Sequence, residues 1–99
     1  MSTFHLTRAH VGTMKACVER YCRKHQGQRD ALRAARSTSK RLAQKAVKKN
    51  LGRRATRWNG AVDASVSNYI DENFTTDDFF RMLKLNEAQV SSHALAMAN

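Results

Sequence analysis

From about Thr7 to Gln26 apolar residues return at helical spacing. With 100° per residue, Val11, Met14, Cys17, Val18, Tyr21 and Cys22 share one arc of about 140°. Arg8, Lys15, Glu19, Arg20 and Arg23 lie outside it, and Lys15–Glu19 and Glu19–Arg23 are favourable i,i+4 pairs. Gly27 is the expected C-terminal cap, with His25 at the negative end of the helix dipole. A second helical pattern runs from Asp30, the expected N-cap, to about Asn50. Its apolar arc of Leu32, Ala35, Ser39, Leu42, Ala43 and Ala46 is narrow and built of small side chains, which predicts close approach of another helix. Asn50-Leu51-Gly52 reads as a stop, and Arg53 to Thr56 fits either a turn or a helical continuation.

The most amphipathic stretch, Arg57 to Asn73, places Trp58, Val62, Val66, Tyr69 and Ile70 on one face and is the expected main contributor to the core. Thr75 or Thr76 caps a fourth segment that carries Asp77 and Asp78 in its first turn and Phe79, Phe80, Met82, Leu83 and Leu85 after them. A polar, Ala-rich helical stretch from Asn86 to about Met97 follows. No run alternates with period two for long enough to argue a strand. The expectation is an all-α bundle of about four helices. Two longer N-terminal helices form an antiparallel hairpin, an amphipathic helix follows, and a short helical pair ends the chain. A 99-residue chain is one domain that buries only about 60–65% of its unfolded surface. That small core and the narrow Ala/Ser/Leu face together predict completion by a homodimer.

Composition narrows the classes. With no Pro and four Gly, most of the chain is free to be helical, and two cysteines are too few for a disulfide framework. No apolar run spans a bilayer and no leader pattern precedes the first helix, so an intracellular site (cytoplasmic, nucleoid or nuclear) is expected rather than secretion. Adsorption to a membrane is not expected either, because the face opposite the basic residues lacks large apolar side chains.

Charge changes the picture more. Residues 1–60 hold 16 Lys and Arg against Glu19 and Asp30, a net of +14. Residues 61–99 hold Arg81 and Lys84 against six acids, a net of −4. The chain thus divides into a basic part, 1–60, facing a polyanion and an acidic, apolar part, 61–99, supplying core and partner contacts. On the second helix Arg29, Arg33, Arg36 and Lys40 form a tight stripe, with Arg41, Lys45 and Lys48 beside them and Lys49, Arg53, Arg54 and Arg57 extending the patch. Charged helix faces are commonly just solvated, but solvated faces mix both signs, and this one has almost no acid. From Arg29 to Lys48 it extends roughly 28 Å at 1.5 Å per residue, a length suited to a row of phosphates. Single-strand binders interleave aromatics for base stacking, and none stands between Gly27 and Arg57. The expected partner is therefore a duplex, RNA or DNA, held by its backbone without reading sequence. In organisation the chain resembles the small helical dimeric duplex-RNA binders that some insect viruses use as silencing suppressors, and no motif residue is shared from which a site is carried over. Its compact size fits a viral, phage or plasmid factor.

Residues 76–90 resemble a helix-turn-helix, with Phe79, Leu83, Leu85 and Val90 at its apolar positions. The pattern departs at Phe80, where a small residue is expected, at Lys84, where the turn glycine belongs, and at His93. The segment from Asn86 onward carries no Lys or Arg to meet DNA, which favours a packed hairpin. The alternative to nucleic acid is a small inhibitor or adaptor whose basic face docks on an acidic host protein, anchored by Trp58, Phe74, Phe79 and Phe80. No catalytic chemistry, cofactor or metal is expected. Cys17 and Cys22 sit 140° apart on a helix, beyond disulfide reach, and with His25 they fall short of four zinc ligands. Ser91, Ser92 and His93 are sequence neighbours that do not face one another on a helix. No glycine-rich phosphate loop is present.

Overall fold

In every long helix the buried side chains recur at each fourth residue. The fold is described here for residues 4–85 of a computed structural model. Helix α1 spans Arg8–Lys24 and α2 spans Arg29–Leu51; α3 spans Arg54–Asn73 and α4 spans Thr76–Met82. The buried row of α1 is His10, Met14, Val18 and Cys22, joined by Tyr21. That of α2 is Ala31, Ala35, Ser39, Ala43, Val47 and Leu51. That of α3 is Val62, Val66 and Ile70, with half-buried Trp58 and Phe74 one step before and after. Rows of this i±4n kind are ridges inclined about 26° to the helix axis, and they interlock with the same rows on a neighbour.

Helix α2 is the middle element, packed along α1 on one side and α3 on the other, with the short α4 against α2 and α1. Both neighbours run antiparallel to it. The Tyr21 hydroxyl donates to the Ala31 carbonyl (3.1 Å) near the α1–α2 turn, and Arg36 reaches the C-terminal end of α3 while Lys48 reaches its earlier turns. The Cα trace measures 48 × 25 × 17 Å, so α2 is flanked rather than enclosed and one of its faces stays open. Because α2 contributes mostly Ala and Ser at the centre, bulk comes from its neighbours: Met14 and Val18 of α1, Val62, Val66 and Ile70 of α3, and Phe79 and Leu83 at and just after α4. The Ser39 hydroxyl is fully buried there and has no hydrogen-bond partner among the described residues.

The ends differ from expectation in instructive ways. Thr7 caps α1 in a reciprocal box: its hydroxyl accepts from the His10 N–H, and His10 Nδ1 accepts from the Thr7 N–H, both at 3.2 Å. The C-cap of α1 is His25, not Gly27. Gly27 serves the following turn at φ +77°, and its N–H donates to the Leu83 carbonyl (2.7 Å), tying the α1–α2 turn to the end of α4. The N-cap of α2 is Gln28 and not Asp30, which stands inside the first turn, where its charge still suits the helix dipole. Gly52, at φ +62° and ψ −130°, ends α2 in a conformation open essentially to glycine alone. Helix α3 then starts at Arg54, so the segment before Arg57 divides into a turn residue, Arg53, and the first turn of α3, Arg54 to Thr56. Thr75 is the cap of α4, in a second reciprocal box with Asp78. The Thr75 N–H, with Arg81 beside it, holds the Asp78 carboxyl below its usual range.

The expected apolar arc of α2 needs correction. Leu42 is 39% exposed, and Leu32 and Ala46 are half-buried, while Ala31, Val47 and Leu51 are buried. An arc of constant azimuth assumes a straight stripe, whereas the packed row drifts around the helix by about 40° with every four residues. The small residues Ala35, Ser39 and Ala43 are covered by the chain's own helices, so that face needs no second copy. The expected helical stretch from Asn86 to about Met97 lies outside the described residues.

Candidate nucleic-acid interface

The drift of the buried row sets where each basic residue of α2 points. Two positions away in register runs a second i,i+4 row, Arg29, Arg33, Ser37, Arg41, Lys45 and Lys49, on the side of α2 away from the core. All six residues are exposed, and among the described residues none of the five cations makes an ion pair. Successive members are separated by a rise of about 6 Å, and the row extends about 30 Å while winding around the helix. Arg53, Arg54 and Arg57, also exposed, follow it in sequence across the Gly52 turn.

Arg36, Lys40 and Lys48 belong to another row, which faces α3. Arg36 donates to Asp71 Oδ1 (3.1 Å) and to the Phe74 carbonyl (2.7 Å), and its guanidinium lies 5.3 Å from the centre of the Phe79 ring. Lys40 donates to Asp71 Oδ2 at 2.8 Å. Gln44 donates to the Asp63 carbonyl (3.0 Å), and Lys48 Nζ lies 3.0 Å from Asp63 Oδ1 and donates to Oδ2 at 3.3 Å. The hydrogen bond from Lys40, reinforced by Arg36, holds the Asp71 carboxyl below its usual range. Their side chains keep only 22–33% of their surface in solvent. These three cations tie α2 to α3. Of the eleven candidates, eight are exposed and three form a seam between helices.

Sequence reasoning missed Arg20 and Lys24. Both are exposed on α1 and stand with Lys45 and Lys49 of α2 around the groove between the two helices. Their i,i+4 spacing outside the apolar arc was the available signal, but only the hairpin register brings them beside α2.

Cys17 and Cys22 are free thiols, and burial pushes both up from their ordinary value, with Arg20 partly opposing the shift at Cys17. The Cys17 thiol donates to the Leu42 carbonyl at 3.9 Å. Among the described residues no three His, Cys, Asp or Glu side chains converge as a metal site would require, and no helix is long and apolar enough to cross a membrane. Lys84, at the helix-turn-helix glycine position, does take the left-handed conformation (φ +53°), while the second half of that pattern lies outside the described residues. No protein-family model, curated protein or solved structure matches the chain. The functional reading therefore rests on the geometry of its charges.

Proposed function

We propose that this chain binds duplex nucleic acid, RNA or DNA, by its phosphate backbone, without catalysis and largely without regard to sequence. The observation that carries the reading is the exposed row Arg29, Arg33, Arg41, Lys45 and Lys49, free of acidic partners among the described residues and followed in sequence by exposed Arg53, Arg54 and Arg57. A protein that needed these cations for its own stability would pair them, as it pairs Arg36, Lys40 and Lys48. A row that winds around a helix with about 6 Å between charges offers successive contacts to a phosphate backbone, and it contains no aromatic side chain on which an unpaired base would stack. One chain suffices for this surface, and a homodimer would double its phosphate contacts.

Fluorescence anisotropy with labelled duplex RNA, duplex DNA and single strands, at several salt concentrations, tests the proposal. Five phosphate contacts on DNA give a log–log salt slope of about −4.5. Both duplexes are expected to bind more tightly than single strands. Salt-independent binding, a preference for single strands, or no binding at low salt would overturn it.

A further inference from the structure

Helices α1 and α2 enclose between them a groove of about 470 Å³ that the basic row does not explain. That volume lies within the roughly 300–1,000 Å³ of small-molecule sites. Cys17 and Tyr21 of α1 and Leu42 and Ala46 of α2 line its apolar part. Leu42 is the one large hydrophobic side chain left exposed among the described residues, and here it faces a concavity rather than open solvent. Around it stand four cations, Arg20 and Lys24 on one helix and Lys45 and Lys49 on the other. Among the described residues no carboxylate lines the groove. Glu19, the neighbour of Arg20, lines the depressions on another side of α1.

This combination selects one ligand chemistry. An inorganic anion would leave Leu42 and Ala46 wet. A neutral hydrocarbon would bring no charge to meet the four ammonium and guanidinium groups, and a cationic amphiphile would be repelled by them. A bilayer surface does not fit, because the apolar lining lies between two helices with charged side chains at its edges. We propose that the groove binds a small free amphiphilic anion, with an acyl or aryl body over Leu42, Ala46, Cys17 and Tyr21 and a carboxylate or phosphate head among Arg20, Lys24, Lys45 and Lys49. The groove shares Lys45 and Lys49 with the exposed row, but its ligand is measured with no nucleic acid present, so the two readings fail separately.

The test uses decanoate, decyl phosphate and decyltrimethylammonium, each below its micelle concentration, titrated into the full chain and followed by calorimetry and amide chemical shifts. Decanoate and decyl phosphate are expected to bind saturably at one site, with the largest shifts around Leu42 and Ala46, while the ammonium congener does not bind. Leu42→Asp, which places a carboxylate in the groove at an already exposed position, is expected to weaken both anions by about tenfold or more. The double variant Lys45→Gln/Lys49→Gln, which changes only exposed side chains, is expected to do the same. Circular dichroism confirms that each variant is folded. Absence of one-site binding by both anions, equal binding of the ammonium congener, or unchanged affinity in both folded variants would overturn the proposal.

Discussion

The division of the α2 cations into an open row and an interhelical seam makes two triple variants, equal in charge, behave in opposite ways. In the first, Arg33, Arg41 and Lys45 become Ala; in the second, Arg36, Lys40 and Lys48 do. The first set is exposed and, among the described residues, unpaired. Its loss removes three phosphate contacts, so the salt slope on duplex DNA is expected to fall in magnitude by about 2.7. Stability should not fall, because Ala is a better helix former and no packed group is lost. The second set joins helices. Arg36 alone contributes a hydrogen bond to the Phe74 carbonyl and a stack over Phe79, together worth about 1–2 kcal/mol, and the half-exposed Lys48–Asp63 pair adds a few tenths. A loss of about 2 kcal/mol lowers the Tm of a domain this size by about 8–16 °C. Thermal melts followed by circular dichroism read the stability, and anisotropy below both transitions reads the slope. If the second variant, still folded, lost as much slope as the first, Arg36, Lys40 and Lys48 would be leaving α3 to meet phosphates and the division would be wrong.

Three further outcomes follow from particular residues. Ser39→Ala removes a buried hydroxyl without a partner at the centre of the bundle and is expected to stabilise by about 1–2 kcal/mol, read as a higher urea midpoint at unchanged m; destabilisation would mean the hydroxyl is satisfied. Gly60→Ala lies inside α3 with open space where the Cβ would stand, so a gain of about 0.5–1 kcal/mol is expected from helix propensity, and a lower Tm would contradict the placement of Gly60 in a regular helix. Asp71 and Asp78 are held below their unfolded values, so their stabilisation is present above about pH 4 and is lost as pH falls through the lowered folded values. The urea midpoint should drop on acidification in that range, and Asp71→Asn should flatten part of the drop; an unchanged acid profile in that variant would remove Asp71 from the account.

The sequence announced the helices well because each long one carries a strong apolar period, and the Leu51-Gly52 stop of α2 and the Thr75 cap that starts α4 are readable. It also announced the basic surface, since eleven cations with one acid over 29 residues leave little other reading. What it could not show was the inclination of the rows. A wheel with fixed azimuth groups Arg29, Arg33, Arg36 and Lys40, but only the crossing of α2 over its neighbours makes Arg36 and Lys40 face Asp71 while Arg29 and Arg33 do not. The acids that claim them lie more than thirty residues away, so no local pattern records the pairing. The role of Gly27 was illegible for the same reason, since it is fixed by the distant Leu83 carbonyl; the Thr7 box was missed for a local one, because His10 closes what carboxylates or amides usually close.

The open row also carries a cost that can be measured without any ligand. Arg29–Arg33, Arg41–Lys45 and Lys45–Lys49 are like-charged i,i+4 pairs, each destabilising by about 0.2–0.5 kcal/mol at low salt, so the row opposes folding by about 1 kcal/mol. Salt screens exposed charges most and partly buried pairs much less, and the seam to Asp63 and Asp71 is the better shielded of the two. Repulsion should therefore fade faster than attraction as salt is added. The Tm of the free protein is expected to rise by about 4–8 °C between low and moderate NaCl. Replacing Arg33, Arg41 and Lys45 by Ala removes all three repulsive pairs and should abolish most of that rise while increasing the Tm at low salt. A Tm that falls with NaCl in the unaltered chain would mean that the α2–α3 pairs outweigh the row, and the cost assigned to the row would be refuted.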